Sequence, residues 1–237
     1  MICAIIDVET TGLDPATDAV TEVGVVLLHW TDDGQWWTST TFGAFVDPGR
    51  DIPLEAQRLT GIRPEMVAGA KDPWPFVRRL IERADYVAAH NAPFDRSFLE
   101  RVIGPVGRPW LDTQRHLPWK DIGAPSLGLV TVAATVGRFC HPVQHRAVAD
   151  CQTVAELIGP RMDALVTRAL APEVEVSAHG APFDAKDALK ARGYDWDAPA
   201  RVWRRVIVAA EFDAEQAWLA AEVYRGVSRA SVREVSK

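Results

Sequence analysis

Long apolar runs, a basic surplus and an even set of cysteines are all missing from this chain, and each absence removes a class of protein. No uninterrupted apolar stretch approaches membrane-spanning length, and the acids Asp7 and Glu9 interrupt the apolar start, so it does not read as a signal peptide. The three cysteines, Cys3, Cys140 and Cys151, have no metal-like spacing and an odd total, which points to reduced thiols and a cytoplasmic setting. The formal net charge is -6, which argues against tight, long-footprint duplex binding through a basic face. All of the acidic excess lies in residues 1–160, and residues 161–237 are balanced. What is plentiful is apolar side chain. At 48% hydrophobic and 24% charged over 237 residues, the chain can bury a real core and fits one domain, or one domain plus a small appendage.

The first dozen residues organise the rest. Ile2 to Ile6 read as a strand buried on both faces, and Asp7 and Glu9 follow at its end. In extended chain, residues two apart point the same way, so the two carboxylates project together. Thr10-Thr11-Gly12 then break the strand and offer backbone N–H groups. Two like charges this close raise each other's pKa unless a cation sits between them, and an oxygen-preferring Mg²⁺ or Mn²⁺ answers that need. A solvated acidic turn is the competing explanation of a D-x-E alone.

Further acids arrive in comparable places. Thr21–Leu28 and Gln35–Val46 read as strands that extend an antiparallel meander, and Leu54–Ile62 as a short helix stopped by Gly61. Pro75–Ala84 reads as an amphipathic helix, and Tyr86–Ala89 as a buried strand that runs into His90-Asn91-Ala-Pro-Phe94-Asp95. The apolar period from Phe94 to Ile103 makes a helix with Asp95 in its first turn. Open α/β sheets place their sites at such strand ends. Leu111–Thr113 reads as another strand, and Ser126–Val136 as a helix with Ser126 as N-cap. Residues 147–158 form a last helix of this part, with His145 at its start and Asp150 near its first turn.

With D-V-E-T-T-G, H-N-A-P-F-D and H-R-A-V-A-D in that order, residues 1–160 resemble the DnaQ-like (DEDDh) 3′–5′ exonucleases. The resemblance implies an α/β, ribonuclease H-like fold: a mixed five-stranded sheet flanked by helices. It implies two divalent ions, Mg²⁺ or Mn²⁺, with Asp7 bridging, Glu9 and Asp150 on one ion and Asp95 on the other. His145 would take the proton from the attacking water, since an imidazole with pKa near 6.5 is mostly neutral at pH 7. Contacts to the substrate end would come from Thr10, Thr11, Gly12, Leu13, Thr60, Asn91 and Phe94. For Leu13 and Phe94, ordinary turn and core packing explains the residues equally well.

The expected substrate is a single-stranded or frayed 3′ end, DNA favoured, in proofreading or repair, with a DNA polymerase as a candidate partner and no membrane. The alternatives are an exoribonuclease of the same fold and a non-catalytic polymerase-associated binding protein. Residues 161–176 read as a linker and 177–237 as a small α+β module. There Trp196, Trp203, Lys186, Lys190, Arg192, Arg204 and Arg205 offer a stacking and phosphate-contacting face, or, for the tryptophans, a small core, or a docking surface for a polymerase or other partner.

Overall fold

The computed structural model describes residues 1–138, 140–142 and 145–235. It divides into two compact units, Met1–Ala169 and Leu170–Lys237. The first holds strands β1 (Ile2–Thr10), β2 (Val20–Trp30), β3 (Trp36–Phe45), β4 (Tyr86–Ala89) and β5 (Trp110–Asp112). Its helices are α1 (Leu54–Thr60), α2 (Pro64–Val67), α3 (Trp74–Glu82), α4 (Ala92–Ile103), α5 (Leu129–Thr135), α6 (Ala147–Ile158) and α7 (Met162–Leu170).

The sheet order is β3-β2-β1-β4-β5. The first three strands pair antiparallel, as the short connections require, whereas β1–β4 and β4–β5 are parallel. Parallel pairs need crossovers, which α3 and α4 provide. The sheet is therefore mixed and five-stranded, flanked by helices on both faces.

Strand alternation sorts β1 onto those faces. Ala4, Ile6 and Val8 pack with Val77, Leu80 and Ile81 of α3 and Phe98, Leu99 and Ile103 of α4. Cys3 and Ile5 face the other way, into a core with Cys151, Val154 and Ala155 of α6 and Met162, Leu165 and Ala169 of α7. Asp7 and Glu9 continue this second set, so the strand's period aims both acids at the face that α6 covers. β1 runs further than the apolar pattern implied. It includes both acids because β2 keeps pairing alongside, Asp7 opposite Gly24 and Glu9 opposite Glu22.

Helix α6 lies very close to the sheet. A Cβ on Gly24 would fall 2.4 Å from the Ala147 carbonyl carbon, and one on Gly43 would fall 2.3 Å from Val148 Cγ2. Only glycine leaves room for this approach. Two other local readings shift. The helix read from Ser126 begins at Leu129 with Gly128 as its N-cap, so Ser126 does not cap it. All three cysteines are free thiols, and among the described residues no helix is long and apolar enough to cross a membrane.

Residues 161–176 are not a linker. Residues 162–170 form α7, which buries Met162, Leu165 and Ala169 in the first core. Residues 173–178 form β6 (Glu173–Ala178), a central strand of the second unit. Alternating Glu-Val-Glu-Val is the pattern of a strand with one wet face, and Val174 and Val176 are indeed buried. The second unit adds α8 (Lys186–Arg192), β7 (Asp195–Asp197), β8 (Val202–Val208), α9 (Phe212–Trp218) and β9 (Ala230–Glu234). Its sheet has the order β7-β8-β6-β9, antiparallel throughout. Gly193, at φ 93°, closes α8.

Candidate active site

Three secondary-structure ends converge on the carboxyl end of β1. Strand β1 presents Asp7 and Glu9, the first turn of α4 presents Asp95, and the start of α6 presents His145 and Asp150. Ligand-capable atoms of Glu9, His145 and Asp150 all lie within 4.8 Å of one another. Asp95 joins through the backbone: Val8 N–H donates to its Oδ1 at 3.0 Å. That bond sets the carboxylate against β1 between the two strand acids.

The electrostatics are those of a crowded acid cluster. Burial, then the charge of Asp95, then that of Glu9, holds the Asp7 carboxyl well above the usual carboxylate range. Glu9 is pushed up to about 8 by burial and by Asp150, Glu22 and Asp95. Asp95 is likewise raised to about 8, chiefly by burial, although backbone N–H groups pull the other way. Burial also raises Asp150, while the neighbouring His145 opposes the shift. His145 is exposed and has φ 53°. Its own N–H donates to Asp150 Oδ2 at 3.1 Å, which ties the imidazole's residue to the acids.

These raised values carry a sign. The folded state holds protons on Glu9 and Asp95 that the unfolded chain releases from about pH 4 upward. Stability is therefore full below the unfolded pKa values and is lost as pH rises through about 8. Thermal unfolding of the metal-free protein should accordingly give a lower Tm at pH 8.5 than at pH 5. Divalent metal should recover that loss at the higher pH. A metal-free Tm that climbs over this interval would contradict the acid cluster.

The residues fit a hard divalent cation. Asp7 has only like charges among the groups that shift it, and the donors are carboxylate oxygens, a set suited to Mg²⁺ or Mn²⁺, with the His145 imidazole beside them. One nearby acid has its own cation. Glu22, 5% exposed, is gripped by Arg146, with NH2 to Oε1 at 2.8 Å and Nε to Oε2 at 3.0 Å, and accepts the Ala147 N–H at 3.0 Å. The Arg146 guanidinium also lies 5.1 Å over the Phe45 ring. This bridge pins the residue next to His145 onto β2. Neither partner stood out in the sequence. The signal was there in principle: Glu22 lies in the segment read as a core strand, and a buried acid needs a partner.

The residues expected at the substrate end are scattered in character. Thr10 Oγ1 donates to the Gly12 carbonyl. Thr11 is 3% exposed, its hydroxyl donating to Asp18 Oδ1 and accepting the Ala19 N–H, both at 3.0 Å. A Cβ on Gly12 would meet the Asp18 carboxylate at 2.5 Å. The Thr60 hydroxyl donates to Ala56 O at 2.9 Å and accepts the Ile62 N–H at 3.1 Å. These hydroxyls are committed to their own turns. Leu13, by contrast, is 84% exposed, Asn91 is exposed at φ 85°, and Phe94 is half-buried with its ring 5.0 Å from Phe98. The motif's His90 is structural: its Nε2 donates to the Leu127 carbonyl and its Nδ1 accepts the Thr113 hydroxyl, each at 2.7 Å.

Comparison with known proteins places this geometry. Residues 4–109 match the family model described as Exonuclease (RNase T). The DNA polymerase III PolC-type of Clostridium perfringens is 32% identical over 163 residues, covering 65% of this chain and 11% of that protein. The ribonuclease T of Shewanella oneidensis is 32% identical over 113 residues, 42% of this chain and 51% of that one. The chain thus spans well under two thirds of either relative's length. Among solved structures, Exonuclease X in complex with 5′ overhanging duplex DNA is similar at TM-score 0.53 and 26% identity, covering 70% of this chain and 92% of that one.

Proposed function

We propose that the chain is a metal-dependent 3′–5′ exonuclease acting on DNA, a reading supported by the match of residues 4–109 to the exonuclease family model. The observation that carries the reading is the cluster itself: Glu9, His145 and Asp150 with ligand atoms inside 4.8 Å, beside Asp7 and an Asp95 anchored to the Val8 N–H. Asp7, Glu9, Asp95 and Asp150 would hold two Mg²⁺ or Mn²⁺ ions, which when bound supply positive charge to the scissile phosphate and its leaving oxygen.

The chain's own groups do the rest. The His145 imidazole accepts the proton of the attacking water at a ring nitrogen, and its exposure gives water access to it. Its backbone bond to Asp150 keeps that ring beside the acids, while the Arg146–Glu22 bridge fixes the following residue. Exposed Leu13 and Asn91, with Phe94, flank the end of the strand, and the backbone of Thr10–Gly12 approaches its 3′-hydroxyl. Unpaired ends are favoured, because separating a paired end costs energy.

Similarity to the PolC-type polymerase and to an exonuclease solved with DNA supports the DNA preference and makes a polymerase a candidate partner. Similarity to ribonuclease T favours RNA as the second reading. The decisive assay uses 5′-labelled single strands of DNA and RNA with Mg²⁺ or Mn²⁺, and with EDTA. We expect stepwise shortening from the 3′ end, faster on DNA, that EDTA abolishes. Shortening that persists in EDTA, or none with either metal, would refute the reading.

A further inference from the structure

The second unit contains a cavity that its core does not use. It has a volume of about 440 Å³ and is lined by Ala181, Pro182, Phe183, Lys186, Lys190, Trp196 and Trp203. This is within the range of about 300–1,000 Å³ that small-molecule sites occupy. Trp203 is 8% exposed and belongs to the core, with Trp196 beside it on the neighbouring strand, ring centroids 5.4 Å apart. Trp196 is 48% exposed and Phe183 is 88% exposed. Both rings leave apolar faces in water, which is the unusual observation for large aromatics gathered at one opening.

The charged residues that line the cavity have one sign. Lys186 and Lys190 sit one turn apart on α8, and Lys186 Nζ lies 5.9 Å from the Phe183 ring centroid. Among the described residues neither lysine has an ion-pair partner, and no carboxylate lines the cavity. Of the acids adjacent in sequence to lining residues, Asp184 pairs with Arg225 at 3.5 Å and Asp197 with Arg204 at 3.2 Å, and Asp187 and Asp195 are exposed without lining the cavity. The arginines are committed too. Arg192 and Arg205 bind the buried Glu215 at 3.1 and 2.9 Å, and Glu215 also accepts the Tyr194 hydroxyl at 3.1 Å. Arg192, Arg204 and Arg205 therefore hold the unit together, and the sequence expectation of a seven-residue face narrows to two tryptophans and two lysines, with Phe183 added.

We infer that this cavity is a single-stranded nucleic-acid site, in which a base stacks among Phe183, Trp196 and Trp203 while Lys186 and Lys190 meet the adjoining phosphates. Exposed aromatic faces beside cations without counter-charges are the combination that such strands recognise, independently of sequence. The inference rests on the exonuclease reading for its biological sense, since a second grip on the substrate strand delays its escape between cleavages.

The test separates the two readings by using a substrate without ends. A closed circular single-stranded DNA offers no 3′-hydroxyl, so its binding to the full chain in EDTA, followed by anisotropy and tryptophan quenching, reports this site. Phe183→Ala and Trp196→Ala should each weaken the circle by roughly 5- to 150-fold, the measured range for losing one base-stacking partner. Lys186→Gln with Lys190→Gln should lower the salt slope by about 1.4. Unfolding midpoints confirm that the variants fold, and metal-dependent cleavage of a trinucleotide should stay unchanged. Circles left unbound, bound equally by all variants, or displaced by poly-glutamate as readily as by DNA would overturn the assignment. If linear strands resist digestion while circles bind through these residues, the exonuclease reading fails and this one stands.

Discussion

Asp7→Ala is expected to lower turnover by at least about 10²–10³-fold, the scale seen when a single charge-stabilising group is removed from an active site. The larger loss is expected here because Asp7 faces Asp95, Glu9 and Asp150 together, and so would serve both ions. The fold should survive, since the neighbouring apolar residues of β1 keep their cores on either side. Removing one of several crowded carboxylates also relieves repulsion. The metal-free variant should therefore unfold at a higher temperature than the metal-free parent at pH 8, while responding less to added Mg²⁺. A near-normal rate, or a Tm unchanged by the substitution, would contradict a shared metal site built on this residue.

The second large effect is that of His145→Ala, expected to slow turnover by about 10²–10⁴-fold, the usual contribution of a positioned general base. Metal binding should persist because the four carboxylates remain, and calorimetric titration with Mn²⁺ checks this. The pH profile gives a sharper signature. In the parent, at saturating metal, activity should fall in acid, because a protonated ring cannot accept the water's proton. In the variant that acid limb should flatten. A parent profile level from pH 5 to 8 would remove His145 from the proton transfer.

Much of this site was legible because strand and helix periods act locally. The same-side placement of Asp7 and Glu9, Asp95 in a first helical turn and Asp150 after a helix start all follow from spacing over a few residues. Glu22 and Arg146 were not legible in that way. They lie 124 positions apart and meet only because β2 pairs with β1 while α6 crosses above. The second unit shows the same limit. Lys186 and Arg192 look alike in a sequence, yet one ammonium stands at an aromatic opening and the other side chain grips a buried glutamate. Residues 173–176 read as linker in the sequence because a lone alternating segment gains its meaning only from the strands on either side.

The floor of the acid cluster depends on two hydrogens standing where other residues carry a methyl. With Gly24 and Gly43 beneath it, α6 settles low enough for Asp150 and the strand acid Glu9 to bring ligand-capable oxygens within 4.8 Å of each other. A metal ion has a fixed radius and cannot stretch to follow a helix lifted by a side chain, and a 1 Å misplacement can cost about 10²-fold in rate. The tolerance of this chemistry to mutation is thus set partly at two positions that bear no functional group.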